Sequence, residues 1–595
     1  MQFVVKTVAA AMTIALGTCA WAADGTFDGS AEGRNGAVKV AVDMKDGKIA
    51  AVRVVEHKES EGIADPALQR IPTDIVAAQS VAVDAISGAT LTSDAIKAAV
   101  TNALKAAGAD VAAFAKKVDA QAAANAPVKT VDTQILVIGA GNGGITAAVK
   151  AAMAGQKALL IEKRAAVGGV SALSHGGLAA TGTRYQREEM KETKDSPELL
   201  YKDMLRVGKN ANDPTLARMV SQRVGEVGNW LIDDLKVAYG AAWVQFPDHS
   251  AHRQISAKGN SVGWQKTMLD LFAKHGGVVM TDTRATEFVT NEKGDVVGVK
   301  AIGLQGQPYE FMAKSFVLAA GGYGAQKDML PARMNDALFY GIPSETGDGF
   351  KMATAIGADT INLDYVKTYP NGVEVQPGRS MDTTGSSTFA VRQSALFVNS
   401  DGKRCVNENK SLGELTEATL AQKGRLLYLV MDDAAWKAYV KKAVDDHTVS
   451  DAGVFERWKS IRNNGRPVIC EGELDHCARE MGIDAAGLKA TIERWNGFVK
   501  AGEDKDFGRK TLVALGEGPY HIVEQKARYQ TTLGGLKADE HLQILRKDGT
   551  PIGNLYGAGC VVGGANGADS MTTLMNTWAI VSGYVAGESA AKNAK

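Results

Sequence analysis

The residues best suited to chemistry begin with three glycines, Gly139, Gly141 and Gly144, which directly follow an apolar run starting at Gln134. In this spacing the first glycine permits a tight turn, the second lets the backbone approach a pyrophosphate, and the third lets a helix pack closely on the strand. A second apolar strand ends about twenty residues later in Glu162, where an acid can bind ribose hydroxyls. The spacing predicts a dinucleotide site, and by itself it fits NAD as well as FAD.

A second candidate for chemistry is the hydroxyl of Thr90, which ends the sequence Asp-Ala-Ile-Ser-Gly-Ala-Thr starting at Asp84. The small residues before this threonine let a bulky planar group approach the backbone, and the hydroxyl can form a phosphoester. Thr92 is the second choice of acceptor. The alternative interpretation is a simple turn before a helix that is capped by Ser93 or Asp94. The residues alone leave both interpretations open.

Length and charge limit what the whole chain can be. A chain of 595 residues is too long for one ordinary domain, so we expect about two to four domains. Its 67 basic residues balance 67 acidic ones, which leaves no overall positive field to attract nucleic acid or anionic lipid. Partners must therefore be recognised by local sites.

The N-terminus has the pattern of a secretory signal peptide. Lys6 precedes an apolar run over residues 8–16, and the stretch from Ala20 to Ala22 matches a cleavage site. The apolar run is too short to span a bilayer, and no later segment is long enough. Lipid attachment at Cys19 is the alternative. We expect a periplasmic mature protein without stable membrane insertion.

Four cysteines follow the signal: Cys405, Cys470, Cys477 and Cys560. Their spacing is not that of a disulfide framework, and the absence of a Cys-x-x-Cys-His sequence excludes covalent haem on this chain. His476 beside two of these cysteines could indicate a metal site, but a fourth ligand is missing. Ordinary packing or one disulfide is therefore the preferred interpretation, and no metal is predicted.

Changes in pattern along the chain indicate its domains. Alternating residues over 38–42 and 49–55, followed by an amphipathic helix near 93–107, predict a small α+β unit. After residue 130, strands alternate with helices as in a doubly wound α/β sheet, and an irregular, helix-rich stretch then indicates an insertion. The predicted divisions are a signal peptide (1–22), an α+β domain (23–115), a linker (116–130), an α/β domain in two parts (131–355 and 526–595) and an inserted domain (356–525).

More distant motifs decide between NAD and FAD. They are the stretches 168–171, 176–177, 316–322, 345–349, 395–408, 533–535 and 555–559. In this order they resemble the flavoprotein subunit of fumarate reductases and succinate dehydrogenases, especially the soluble periplasmic flavocytochromes. The resemblance covers about residues 133–591. It implies non-covalent FAD in a Rossmann-type α/β domain with an inserted α+β clamp domain.

The stretch ending at Thr90 resembles the covalent flavinylation motif of FMN-binding domains, in which a flavin transferase esterifies FMN to the threonine. The resemblance implies that the α+β domain holds covalent FMN on Thr90. The residues implied for FMN are Ser87, Gly88, Ala89 and Thr90, and those implied for FAD are Gly139, Gly141, Asn142, Gly143, Gly144, Glu162, Lys163, Gly168, Gly169, Ser171, Gly176, Gly177, Ala320, Gly321, Gly322, Asp348, Gly559 and Leu574.

The chain departs from the family where a dicarboxylate would bind. Against the family motifs, Tyr369 and Gln530 replace histidines, Leu412 replaces a proton-donating arginine, and Gly567 replaces an arginine that clamps a carboxylate. A buried dianion left without these partners is strongly disfavoured, which argues against fumarate. Urocanate reductases resemble this chain in having both flavin domains and the tyrosine, but they keep both arginines.

The remaining candidates for catalysis are Tyr369, Tyr529 and Arg392. Phenols placed near the flavin by the resemblance can act as general acids or donate hydrogen bonds to an oxygen, and Arg392 aligns with a proton-delivery arginine. The alternatives are core aromatics for the tyrosines and a surface charge for the arginine. Weaker candidates are His252, Arg253, Arg379 and Arg528.

These observations favour a periplasmic terminal reductase. We expect electrons from a membrane quinol-linked donor to enter at FMN, pass to FAD and reduce a small acceptor that is uncharged or a monoanion. The alternatives are a dehydrogenase similar to ketosteroid dehydrogenases and a non-enzymatic electron carrier.

Overall fold

The computed structural model describes residues 23–59, 64–86, 89–116, 126–241, 245–334, 336–446 and 448–595. The predicted signal peptide, including Cys19, lies outside these residues, as do most of the predicted linker, Ser87 and Gly88. The chain divides into two compact units, one that ends at Asp119 and one that begins at Ala120.

The N-terminal unit is a three-stranded antiparallel sheet with two helices. Its elements are β1 Gly25–Glu32, β2 Ala37–Lys45, β3 Lys48–Glu56, α1 Asp65–Ala78 and α2 Thr90–Ala106. Along β2 the side chains of Val38, Val40 and Val42 are fully buried, as expected for alternate residues that face one side of a sheet. The predicted α+β unit is confirmed, although α2 starts three residues earlier than the predicted helix.

The first part of the larger unit runs from β4 to α8. Its strands are β4 Lys129–Asp132, β5 Ile135–Ile138, β6 Ala158–Ile161, β7 Gly177–Ala179, β8 Tyr239–Ala241, β9 Gln254–Ala257, β10 Val278–Met280, β11 Arg284–Thr290, β12 Val296–Ile302, β13 Pro308–Met312, β14 Ser315–Leu318 and β15 Leu338–Phe339. Its helices are α3 Asn142–Met153, α4 Arg184–Glu188, α5 Pro197–Val207, α6 Pro214–Asn229, α7 Asn260–Lys274 and α8 Asp348–Ala355.

The rest of the unit contains the predicted clamp and the return to the first sheet. Its strands are β16 Thr360–Ile361, β17 Val366–Gln376, β18 Arg379–Asp382, β19 Leu396–Val398, β20 Leu426–Met431, β21 Arg462–Asn463, β22 Arg466–Pro467, β23 Ile469–Gly472, β24 Tyr520–Thr532, β25 Gly535–Leu536, β26 Gln543–Leu545 and β27 Pro551–Gly557. Its helices are α9 Thr384–Gln393, α10 Leu412–Leu420, α11 Asp433–Asp445, α12 Gly453–Lys459, α13 Leu474–Met481, α14 Ala485–Ala501 and α15 Leu574–Asn593.

A six-stranded sheet in the order β10-β6-β5-β14-β27-β26 organises the larger unit. Its first five strands are parallel and only β26 is antiparallel. The carboxyl ends of β5, β6, β14 and β27 therefore meet at one edge, where open α/β sheets bind ligands. The glycine turn, Glu162 and the glycine-containing stretches after Leu318 and Tyr556 all lie at this edge. The predicted Rossmann-type fold is confirmed.

The C-terminal helix α15 packs closely on α3, the helix that begins in the glycine turn. A Cβ on Gly583 would lie 2.2 Å from the carbonyl oxygen of Gly143, and one on Gly587 would lie 2.5 Å from that of Ala147. Only glycine allows α15 to approach α3 this closely. Although α15 is mostly apolar and buried, no helix of the described ranges has both the length and the apolar character needed to cross a bilayer.

A second sheet, built around β24, forms the clamp. In β20 the side chains of Leu427, Leu429 and Met431 pack on one face, while those of Leu426 and Tyr428 pack on the other. Both faces are covered by helices, so every residue of β20 is buried. The predicted inserted domain ends at residue 525, but β24 continues through this position without interruption. The domain boundaries at 356 and 525 therefore stay predictions.

The two closely spaced cysteines of the clamp, Cys470 in β23 and Cys477 in α13, form a disulfide. Their sulfurs are thus bonded to each other, which is one of the two preferred interpretations of the sequence.

Replacing Cys470 and Cys477 together by serine is expected to lower the free energy of unfolding by about 2.5 kcal/mol, because the disulfide closes a short loop and restricts the unfolded chain. Guanidinium unfolding of the oxidised protein and the double variant measures the difference. Reductant should destabilise the wild type by a similar amount and leave the double variant unchanged. Equal midpoints for the oxidised wild type and the variant would contradict a stabilising role.

Candidate active site

A cleft opens at the carboxyl edge of the six-stranded sheet. Most residues predicted to hold FAD line it: Gly139, Gly141, Asn142, Gly143, Glu162, Lys163, Gly169, Ser171, Ala320, Gly321, Asp348 and Gly559. The others are not among its lining residues: Gly144, Gly168, Gly176, Gly177, Gly322 and Leu574. The cleft thus collects residues from four strand ends and from the loop before α8.

The glycines of the turn differ in what surrounds them. Gly139 has a φ of +104°, and its Cβ would lie 2.4 Å from the carbonyl oxygen of Ala319. A Cβ on Gly144 would lie only 1.8 Å from the Gly139 oxygen. A Cβ on Gly141, by contrast, would have no atom nearer than Ser171 Oγ at 3.9 Å. The backbone at Gly141 therefore faces free space at the start of α3, which fits a pyrophosphate.

Glu162 fixes the turn while remaining able to bind a ligand. One carboxylate oxygen accepts a hydrogen bond from the Ala140 N–H at 2.8 Å, and the other accepts from the Arg164 N–H at 2.9 Å. A carboxylate has about four lone-pair positions, so both oxygens can also accept from ribose hydroxyls. The predicted role of Glu162 fits this geometry.

Lys163 and Asp348 form an ionic group on the opposite wall. The Lys163 ammonium donates to Thr346 Oγ1 at 2.9 Å and to Asp348 Oδ2 at 3.1 Å, and Arg284 Nε donates to the same oxygen at 3.0 Å. Burial works to raise the pKa of Asp348, but these cations and hydrogen bonds outweigh it and lower that pKa. The group joins the ends of β6 and α8 to β11 beside the cleft.

Three of the predicted FAD residues that do not line the cleft are packed closely against neighbouring segments. A Cβ on Gly322 would lie 2.3 Å from Thr532 Oγ1, and one on Gly176 would lie 2.9 Å from the backbone of Asn260. Leu574 is buried at the start of α15. Their direct contact with FAD stays a prediction.

A second, larger cavity lies beside β17 and α10. It is lined by Lys367 and Thr368 from β17, by Leu412 from α10, and by residues 568–570. Leu412, where the family resemblance expects a proton-donating arginine, thus presents an apolar side chain to this cavity. Gly567 does not line it: a Cβ there would lie 2.5 Å from the Gly208 oxygen, which leaves no room for a larger residue.

Tyr369 lies between two cations. The Lys367 ammonium is 5.0 Å from the centre of its ring, and the Arg528 guanidinium carbon is 4.3 Å from the same point. Burial raises the pKa of the Tyr369 phenol, while Lys367 and Arg528 act in the opposite direction. Both cations would stabilise a phenolate, so the phenol can give up a proton within this pair.

Arg528 is held by pairing across β17 and β24, where it is opposite Tyr369. Its Nη2 lies 2.6 Å from Asp382 Oδ1 and donates to Thr384 Oγ1, and its guanidinium also packs on the ring of Tyr340. Nη1 is buried and has no hydrogen-bond partner in the described part of the chain. Arg528 was only a weak candidate from sequence, and the structure places it beside Tyr369.

Lys367 is a buried residue that sequence reasoning missed. Its ammonium donates to Asp569 Oδ1 and to the Ser570 carbonyl oxygen, both at 2.7 Å. Burial works to lower the pKa of Lys367, but the Asp569 carboxylate outweighs it and raises that pKa. Because the partners are 202 positions apart, no sequence spacing indicates the pair.

The structure does not place the other catalytic candidates beside Tyr369. Tyr529 is buried in a small hydrophobic cluster, with its ring 5.3 Å from that of Phe339. Arg392 is exposed on α9, where its guanidinium lies 5.1 Å from the Phe389 ring. Arg253 is buried in ion pairs with Asp195 and Asp203. Catalytic roles for Tyr529 and Arg392 stay predictions.

In the N-terminal unit, Thr90 is the first residue of α2 and is half-buried. Thr92 is buried, and its hydroxyl donates to the Glu59 carboxylate, so Thr90 is the more available acceptor. A helix N-terminus also favours a phosphate. The alternative of a helix capped by Ser93 or Asp94 is wrong, because α2 starts before them and Ser93 instead bonds to the Ala89 oxygen.

Comparisons with known proteins extend these findings. A family model described as an FAD binding domain matches residues 134–572, and one described as an FMN-binding domain matches residues 33–105. The chain is 31% identical to urocanate reductase of Eggerthella lenta over 95% of this chain and 92% of that protein. It is 32% identical to fumarate reductase (cytochrome) of Shewanella frigidimarina over 82% and 81% of the two chains.

Among solved structures, the open conformation of a flavocytochrome c3 fumarate reductase is similar, with a TM-score of 0.66 and 26% identity. The match covers 82% of this chain and 84% of that one.

Proposed function

The chain belongs to the family of FAD-binding reductases that includes urocanate reductase and the flavocytochrome fumarate reductases, with an FMN-binding domain in addition, and on this basis we propose that it is a periplasmic terminal reductase. Electrons pass from covalent FMN to non-covalent FAD and then to a small acceptor other than fumarate. This acceptor is an activated alkene, an enoate monoanion or a sulfoxide, which the cell reduces in anaerobic respiration.

The observation that carries the proposal is the position of Tyr369 between Lys367 and Arg528. Bound FAD supplies a hydride. In an alkene the π bond breaks as the hydride bonds to one carbon, and Tyr369 gives its proton to the other. The phenolate that remains is stabilised by the two cations until it takes a proton from water. Hydride and proton together supply the two electrons and two hydrogens of the reduced product.

The charges of the larger cavity disfavour a dianion. Its buried cation, Lys367, is already paired with Asp569, and Asp248 also lines the cavity. Leu412 supplies no charge. The other cations that line the cavity, Arg206, Lys209, Arg333 and Lys410, are exposed, so a buried dicarboxylate would find only the paired Lys367 as a buried partner. Arg528 does not line this cavity, but its Nη1, unpaired among the described residues, is suited to a single carboxylate or an acceptor oxygen beside Tyr369.

Export and maturation complete the proposal. The predicted signal peptide and the disulfide between Cys470 and Cys477 both suit an oxidising compartment. A flavin transferase attaches FMN to Thr90 there. A quinol-linked donor in the membrane then delivers electrons to the FMN.

Anaerobic turnover with a reduced dye tests the function. The purified protein is given acrylate-type enoates, uncharged enones, sulfoxides and fumarate, and dye oxidation is followed. We expect turnover of at least one monoanionic or uncharged acceptor and little with fumarate. Fumarate as the only good acceptor would overturn the proposed specificity. Bound flavins with no turnover at all would indicate an electron carrier, and oxidation of a saturated ketone would indicate a dehydrogenase.

A further inference from the structure

Glu345 is a buried carboxyl group in the wall of the FAD cleft. It precedes α8, and only 3% of its surface is exposed. Oε1 accepts a hydrogen bond from Thr531 Oγ1 at 3.1 Å. Oε2 has no hydrogen-bond partner within the described residues. A buried polar atom without a partner is costly, so an unpaired oxygen in a ligand cleft indicates a group that the ligand completes.

The surroundings of Glu345 favour its neutral form. The groups that act on it from neighbouring elements are the Lys163 ammonium, the Gly322 N–H and the Thr531 hydroxyl. Burial outweighs these three and raises the pKa of Glu345 to about 8. The other titratable neighbours, Tyr529 and Cys560, have pKa values raised by burial to about 12, so neither ionises in the same range.

We propose that Glu345 is a protonated acid that donates a hydrogen bond from Oε2 to FAD in this cleft and couples the redox state of FAD to pH. The inference requires FAD in the cleft but does not depend on which acceptor is reduced. It therefore stands or falls separately from the proposed specificity.

The coupling follows from charge. Two-electron reduction to the anionic flavin consumes one proton at the flavin itself. While Glu345 is protonated, reduction consumes no further proton. When Glu345 is ionised, its carboxylate repels the new negative charge, and Glu345 takes up one proton from water as the two electrons arrive. Reduction then consumes two protons for two electrons.

Spectroelectrochemical titration of the holoenzyme from about pH 6 to about pH 10 tests this coupling. In the wild type, the slope of the FAD midpoint potential against pH is expected to double on the alkaline side. The Glu345→Gln variant keeps the donor geometry but cannot ionise, so its slope should stay at the lower value throughout. An equal break in both proteins, or no break in the wild type, would overturn the proposal.

A matched control is Glu524→Gln. Glu524 is also buried, and its pKa is raised to about 7, mainly by burial, but it lies in the clamp sheet and does not line the FAD cleft. This variant should keep the wild-type break. If Glu345→Gln does not fold, reduced-minus-oxidised infrared spectra of the wild type still decide the question. The C=O band of a protonated carboxyl should shift on FAD reduction at neutral pH, and an unchanged band would overturn the proposal.

Discussion

The Tyr369→Phe variant is expected to lose about 10²- to 10⁴-fold in kcat, the usual contribution of a general acid, while it still binds both flavins. Phenylalanine keeps the ring between Lys367 and Arg528 but removes the proton donor. Stopped-flow oxidation of reduced FAD by the acceptor measures the step directly. KM should change little, because the aromatic ring and its packing on Lys367 and Arg528 are preserved.

The pH profile separates a proton donor from a structural residue. Burial raises the pKa of Tyr369, so the phenol holds its proton at neutral pH and loses it only in alkaline solution. The wild-type rate should therefore be flat around neutrality and fall on the alkaline side. The residual rate of Tyr369→Phe should lack that fall.

Tyr309→Phe is the matched control for this prediction. Tyr309 lies in β13, where its ring stacks on Phe311 and contacts Lys129 rather than Lys367 or Arg528, so loss of its hydroxyl should leave turnover unchanged. If Tyr369→Phe retains wild-type kcat, Tyr369 is not the donor and the proposed mechanism fails.

Local geometry made the FAD cleft predictable from sequence. The roles of Gly139 and Gly144 follow from contacts with a neighbouring strand and with each other, and both are visible as a fixed spacing. The position of Glu162 follows from the length of one strand-helix-strand unit. Such features need no knowledge of distant segments, so spacing located the glycine turn and Glu162. The lining residues Gly169, Ser171, Ala320, Gly321, Asp348 and Gly559 were predicted only through the family resemblance.

The group around Tyr369 could not be predicted in the same way. Tyr369 contacts Arg528 because β17 pairs with β24. Lys367 contacts Asp569 because the segment just before α15 folds back beside β17. The sequence singled out Tyr369 through its replacement of a histidine but gave no sign of the cations beside it. Glu345 opens one of the motifs that carry the family resemblance, but its role was not predicted, because its burial arises only in the folded chain.

Replacing Thr90 by valine is expected to abolish covalent FMN, since valine has a similar shape but no hydroxyl to form the phosphoester. After export in cells with a flavin transferase, the wild type should give a fluorescent band on a denaturing gel and the variant none. Turnover with a quinol-linked donor should fall to background. Turnover with a reduced dye that reaches FAD directly should persist.

Thr92→Val provides the comparison that assigns the acceptor. Thr92 is buried and bonded to Glu59, so its replacement leaves a buried carboxylate short of one donor and should lower stability by roughly 1 to 3 kcal/mol. It should not remove the flavin, because this hydroxyl is already enclosed while Thr90 is half-exposed at the N-terminus of α2. A fluorescent band that survives in Thr90→Val but disappears in Thr92→Val would reverse the assignment. Loss of the band only in Thr90→Val would establish Thr90 as the residue that carries covalent FMN.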